Sequence, residues 1–240
     1  MKNGRVALLV PSRGRPKAFA RLVDSFLANG TGYSDLILRN GEADPVKDEY
    51  AMFEGIPGVI RVVGTDQGFN SFGTAGYNPA QEDLWERFSD YSAYISIEDD
   101  CVLETPGFDQ WLLAEFDRFP GRVGLIELYD RSQTIHCPCL SAEWCDALGY
   151  LFLPGVGEHG FHQVLQLAQA DPPQYLVGTG AHFTHYPHLR EYGYTGNERK
   201  GALATPGIPE QFHQQAIMLA RWRQQHFRGA KDALLRKAGQ

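Results

Sequence analysis

Three adjacent carboxylates, Glu98, Asp99 and Asp100, close the otherwise apolar stretch YISIEDDC (94–101). Like charges at that spacing repel, and each resists burial. The triplet therefore either faces water or awaits a cation. Carboxylates at the end of a buried strand are the ligands that hard divalent cations take, often while the same ion holds phosphate oxygens. A second charged group stands early in the chain, where VPSRGRP (10–16) carries Arg13 and Arg15. Those guanidinium groups can meet the same anion or its ribose. A nucleoside diphosphate satisfies both.

The first half reads as alternating strands and helices. RVALLVP (5–11) is a short apolar run of the kind that forms a buried strand. RPKAFARLVDSFLANG (15–30) spaces Phe19, Leu22, Val23, Phe26 and Leu27 as one helix face and stops at Gly30. DLILRN (35–40), the short helix PVKDEYAMFEG (45–55) and GVIRVVG (58–64) follow. NPAQEDLWERFSDY, with an asparagine cap before proline, opens another helix ahead of the acidic strand. This order predicts a mostly parallel sheet covered by helices, with ligands at the carboxyl ends of its strands. PSRGRP, the glycine-rich GTDQGFNSFGTAGYN (64–78) and EDD all fall at such ends. The second half is less regular: a helix over 105–119, a strand over 121–129 and a helix then strand over 141–154. A helix over 158–170, strands near 175–177 and 182–186, and a final amphipathic helix from about Pro209 complete it. No linker marks a boundary, so residues 1–240 read as one domain. Residues 1–104 form a nucleotide-binding half, 105–208 an acceptor-binding half and 209–240 a basic helical extension.

Composition narrows the function. No apolar run approaches the ~20 residues of a membrane span. The basic, briefly apolar N-terminus is broken by PSRGRP and shows no small-residue cleavage site, so it reads as a first strand and the expected location is cytoplasmic. Neither G-x-x-x-x-G-K-[ST] nor a G-x-G-x-x-G after the first strand is present, which removes the best signals for nucleotide hydrolysis and dinucleotide redox chemistry. Cys101, Cys137, Cys139 and Cys145 lack a disulfide-framework spacing. His136 beside three thiols raises a zinc site, but C-x-C with proline inside is not the usual paired spacing, and free thiols are the expectation. Net charge is −7, yet residues 1–23 hold six basic residues and no acid, and residues 218–240 hold six against one. Basic ends on an acidic body suggest an anionic partner met at particular places.

Taken in order, VPSRGRP, YISIEDDCVLETPGFD, LGYLFLP and HFTHYPH resemble the family-2-like glycosyltransferases of the GT-A fold, most of all small bacteriophage-encoded members. The resemblance spans roughly residues 5 to 190. It implies a Rossmann-like, mostly parallel sheet flanked by helices with a C-terminal helical extension. It also implies Mn²⁺ or Mg²⁺ held with the diphosphate of a nucleotide-sugar by an acidic motif of D-x-D type. On this reading Asp100 is the direct metal ligand, Glu98 the first acid of the pair, and Asp99 faces the ribose or donor sugar. The family adds a late histidine to the metal shell; His182, His185 and His188 compete for that place, and His185 matches best. A general base is implied at the helix start in GVGEHGFHQ, which supplies Glu158; the family more often has an acidic pair there, and here the neighbour is His159. Glu158 equally suits a helix N-terminus.

Pro11, Ser12, Arg13 and Arg15 match the loop that cradles nucleobase and ribose. Asn40 stands where the family commonly places an acid reading uracil, with Glu42 and Asp44 shortly after, and a UDP-sugar is implied by family frequency. Phage enzymes of this type imply an acceptor hydroxyl on a hydroxymethylated pyrimidine of DNA, reached by base flipping. Phe69, Phe72, Tyr77 or Trp144 are available to stack on the base, and the basic ends to contact phosphates. A pI near 5.6 argues the other way, so a saccharide or cell-surface acceptor stays open. So do a nucleotidyltransferase of similar topology and a non-catalytic binding protein.

Overall fold

Every residue of β1 (Val6–Pro11) is buried. Val6, Leu8 and Val10 join one apolar cluster, and Ala7 and Leu9 join another across the sheet. A strand covered on both faces needs no polar alternation, which explains its continuous apolar run. The computed structural model describes residues 2–65, 77–131, 137–152, 175–186, 225 and 227–239.

The sheet has eight strands in the order β3 (Val59–Gly64), β2 (Ser34–Gly41), β1, β4 (Ala93–Ser96), β7 (Cys137–Ser141), β6 (Leu125–Asp130), β8 (Tyr175–His185) and β5 (Cys101–Leu103). From β3 to β4 all pairs are parallel. Beyond β4 the sheet is mixed: β4–β7, β7–β6 and β8–β5 are antiparallel and β6–β8 is parallel. The chain steps outward from β1 to β2 and β3, then returns to the other side of β1 as β4. That reversal is a topological switch point, and the crevice beyond it is where open α/β sheets take ligands.

Helices cover both faces. Pro16 starts α1 (Pro16–Asn29), and a stripe including Phe19, Leu22, Val23 and Phe26 is buried against β1 and β2. Each such side chain removed from water contributes about 1.5–3 kcal/mol. On the same face lies α3 (Phe108–Phe116), through Leu112 and Phe116. The opposite face carries α2 (Tyr77–Arg87) through Leu84 and α4 (Ala142–Leu148) through Trp144 and Cys145. A helix over 227–238, α5, adds Leu234 and Ala238 to that cluster.

The expected elements of the first half form with one change, since 45–55 contains a 3-10 turn over Lys47–Phe53. In the second half, the strand expected after Gly149 does not form up to Phe152; the amides of Leu151 and Phe152 go instead to the Glu82 carboxylate on α2. The two strands expected near 175–177 and 182–186 are one strand, β8, whose ladder with β6 shifts register between Leu128 and Tyr129. Strands β5 and β7 are additions. The expected helix over 158–170 lies outside the described residues, as does most of the span from Pro209 to α5.

Candidate active site

The three carboxylates leave β4 on a turn, and β5 begins at once at Cys101. Antiparallel pairing of β5 with β8 sets Cys101 opposite His185, and the Tyr186 amide donates to the Asp100 carbonyl at 3.0 Å. This long-range register delivers His185 to the acidic turn. Its Nε2 lies 3.2 Å from Asp100 Oδ1 and 3.4 Å from Glu98 Oε2. The three ligand-type atoms all lie within 4.8 Å of one another.

The carboxylates differ in environment. Glu98 is partly open, with its side chain 38% exposed, whereas that of Asp100 is 5% exposed and Asp99 has no exposed surface. Asp99 is met by the Arg15 guanidinium, Nη2 to Oδ1 at 2.5 Å, and by the Ser12 hydroxyl, which donates to Oδ2 at 2.5 Å. Arg15 Nη1 also donates to Asp100 Oδ2 at 2.9 Å. One arginine thus bridges two buried carboxylates. Burial pushes the Asp99 carboxyl up, against the pull of Arg15 and with the neighbouring Asp100 charge adding to the rise. Burial would also raise Asp100, but the His185 contact and the Arg15 charge hold it below the ordinary range. Burial would lower the His185 imidazole; its two carboxylate neighbours outweigh that and lift it to about 9.

Do these residues fit a divalent cation? Two carboxylate oxygens and an imidazole nitrogen are a donor set that Mn²⁺ takes readily and Mg²⁺ in part. Asp100 Oδ1 is buried with His185 Nε2 as its neighbour at 3.2 Å, and both atoms lie within 4.8 Å of a Glu98 carboxylate oxygen, so the three can turn to one ion. The set fits. Of the competing histidines, His182 points elsewhere, its ring edge-on to Tyr129 at 5.4 Å between centroids. His188 and Glu158 lie outside the described residues.

The loop after β1 is tied down from the β2 side. The Gly14 amide donates to Asp44 Oδ2 and the Arg15 amide to the Tyr50 hydroxyl, at 3.0 and 2.9 Å. Gly14 has φ +72°, which only glycine adopts without strain. Pro11 and Ser12 are buried at the strand end, and Arg13 is half-buried. Asn40 is buried one residue beyond the last β1–β2 pair, Pro11–Arg39; its carbonyl accepts from Arg61 Nε at 3.2 Å and its amide nitrogen has no partner among the described residues. Sequence reading missed Tyr50 and Asp130. A buried tyrosine in a polar turn carried no signal beyond its spacing to Phe53. Asp130, at the end of β6, accepts from the His185 amide at 3.4 Å, a neighbour visible only once β6 and β8 are paired.

Two expectations meet the structure elsewhere. The four cysteines are free and buried, and burial pushes every thiol up, which makes them poor metal ligands and nucleophiles. Trp144 has no exposed surface and belongs to the α4 core. It cannot stack on a flipped base, a correction to its expected availability. Phe69 and Phe72 lie outside the described residues, and Tyr77 opens α2.

No known family profile matches the sequence, and no curated protein matches it. Solved structures do match. S. aureus TarS, residues 1–349 in complex with UDP-GlcNAc, superposes with a TM-score of 0.64 at 9% identity, covering 97% of this chain and 71% of that one. Glucosyl-3-phosphoglycerate synthase from Mycobacterium tuberculosis, in complex with Mn²⁺, UDP and phosphoglyceric acid, gives 0.53 at 16% identity over 84% of this chain and 78% of that one. The fold is GT-A. A Bacillus anthracis protein assigned as a glucose-1-phosphate thymidylyltransferase gives 0.51 at 12% identity, over 87% and 98%. The GT-A architecture is thus shared with a nucleotidyltransferase-type chain, and chemistry must be argued from the residues at the switch point rather than from the fold.

Proposed function

We propose that this chain is a metal-dependent glycosyltransferase that moves a sugar from a nucleotide-sugar to an acceptor hydroxyl. The observation that carries the reading is the convergence of Glu98, Asp100 and His185 beside the Arg15 loop at the carboxyl ends of β1 and β4. Glu98, Asp100 and His185 would hold Mn²⁺ or Mg²⁺, which when bound stabilises the departing diphosphate. Pro11, Ser12, Arg13 and Asn40 border the donor pocket, while Arg15 and Asp99 hold its floor. Glu158 is the proposed base, taking the acceptor proton as the hydroxyl attacks the anomeric carbon with inversion. The favoured donor is a UDP-sugar, and UDP-containing neighbours of the same fold support that choice. The favoured acceptor is a hydroxymethylated pyrimidine of phage DNA. The basic chain ends support it, with Arg228, Arg236 and Lys237 exposed on α5.

A nucleotidyltransferase is the second reading, favoured by the thymidylyltransferase-type neighbour. The products separate the two. Nucleoside diphosphate release from UDP-, GDP- and TDP-sugars is measured with Mn²⁺ and with EDTA, with and without hydroxymethylated DNA. Mn²⁺-dependent release that Asp100→Ala and His185→Ala abolish and His182→Ala retains is expected, with stimulation by DNA. Pyrophosphate formed from a nucleoside triphosphate and a sugar phosphate would instead establish the second reading. Release unaffected by Asp100→Ala would remove the acidic cluster from the chemistry.

A further inference from the structure

The Tyr50 side chain is fully buried, yet its hydroxyl lies among the groups that shape the site. It accepts from the Arg15 amide at 2.9 Å and lies 2.7 Å from Ser12 Oγ. Hydrogen counting fixes the direction of that second contact. Ser12 has one hydroxyl hydrogen, and it goes to Asp99 Oδ2. With Asp99 ionised against the Arg15 guanidinium, Tyr50 therefore donates to Ser12. Burial holds the Tyr50 phenol well above its ordinary pKa, so the proton it donates stays in place. The result is a directed chain from the Arg15 amide through Tyr50 and Ser12 to Asp99, closed by the Arg15 guanidinium on the other Asp99 oxygen. Three segments distant in sequence meet in this ring: the loop after β1, the 3-10 turn Lys47–Phe53 and the acidic turn after β4.

We infer that Tyr50 is a positioning residue, which locks the loop after β1 and, through Ser12, turns Asp99 toward Arg15 so that Asp100 keeps Oδ1 toward His185. Without the hydroxyl, Ser12 loses its donor and the Arg15 amide its acceptor. Both changes release Arg15 from the geometry in which it bridges the two carboxylates. The inference rests on the proposed cation site only where cation binding is the readout.

Tyr50→Phe tests it, because the ring keeps its packing against Phe19 and Phe53, at 6.2 and 6.3 Å between centroids. Tyr91→Phe is the control. It removes another buried tyrosine hydroxyl, which donates to Asp35 at 2.7 Å at the opposite end of the sheet. Amide exchange by NMR reads the Arg15 amide directly, and protection there is expected to fall about tenfold or more in Tyr50→Phe while staying unchanged in Tyr91→Phe. Mn²⁺ affinity in the presence of UDP, followed by electron paramagnetic resonance, is expected to fall roughly tenfold or more in Tyr50→Phe alone, the usual loss when a partner of a ligand shell is removed. Unchanged Arg15 exchange in Tyr50→Phe overturns the inference. Lost protection with unchanged Mn²⁺ affinity overturns its link to the site. A wild type that binds neither Mn²⁺ nor UDP defeats the proposed function, and Arg15 exchange then supports or overturns the positioning role by itself.

Discussion

Arg15 makes the sharpest energetic prediction. Its side chain is 12% exposed and lies between Asp99 and Asp100, with N···O distances of 2.5 and 2.9 Å. At an effective dielectric of about 20, each contact is worth roughly 6 kcal/mol of gross attraction. Desolvating the guanidinium and both carboxylates offsets most of that. The net cost of Arg15→Ala then comes from leaving buried Asp99 without a counter-charge and Asp100 with His185 alone, about 3–5 kcal/mol for breaking a buried pair from one side. Urea unfolding at pH 7 should show it. With a slope of about 2–3 kcal/mol per molar, the midpoint is expected to fall by roughly 1–2.5 M. Asp99→Asn in the Arg15→Ala background removes the orphaned charge and should recover part of the loss, whereas Asp99→Asn alone should destabilise. That sign reversal is the signature of charge compensation rather than of lost packing. A midpoint shift below about 0.3 M for Arg15→Ala, or a double variant no more stable than the single one, would refute the account.

Glu82 offers a test in pH. Burial lifts its carboxyl to about 7 despite the Leu151 and Phe152 amides it accepts from. The folded pKa lies above the unfolded value near 4.5, so the folded state binds the extra proton between these limits. Wild type should therefore gain stability relative to Glu82→Gln as pH falls from 7 toward 4.5, by about 2–4 °C in melting temperature after allowance for the group's partial exposure. A difference that stays flat over that range would mean that the carboxylate is solvated in the native state. Gly180→Ala probes the strand that carries His185, because an added Cβ would overlap the indole nitrogen of Trp111. Overpacking of this kind costs about 1–3 kcal/mol, or roughly 2–10 °C by calorimetry, and an unshifted melting temperature would place Trp111 elsewhere.

The parallel half of the fold was legible because each strand is an apolar run stopped by glycine, proline or a charge, and each helix shows one buried stripe. Residues such as Val10 and Leu38 had no other reading. The mixed half was not. Strand β5 is three residues long and sits between an acidic turn and Thr105–Pro106, so no periodicity can develop in it. Strand β7 is the Cys-Pro-Cys segment, whose composition suggested ligands or thiol chemistry more readily than a ladder. Long-range pairing created those strands, and such pairing is not written in any local window.

The same limit governed the site. Glu98, Asp99 and Asp100 could be singled out from their own neighbourhood, but their separate environments could not. Asp99 is fully buried because it follows the strand inward toward Ser12, while Glu98 turns to the open side and Asp100 lies between Arg15 and His185. Three like charges can sit in adjacent positions because the fold supplies one fixed cation, Arg15, on the inner side, and a histidine that attracts a proton on the outer side. With Arg15 committed to Asp99 Oδ1 and Asp100 Oδ2, Glu98 and Asp100 Oδ1 share only the His185 proton, which an incoming divalent cation can displace, at the edge beside the switch point. A mobile cation has its strongest electrostatic reason to bind at that edge, and the arginine that frees the edge is the residue whose removal should be felt most.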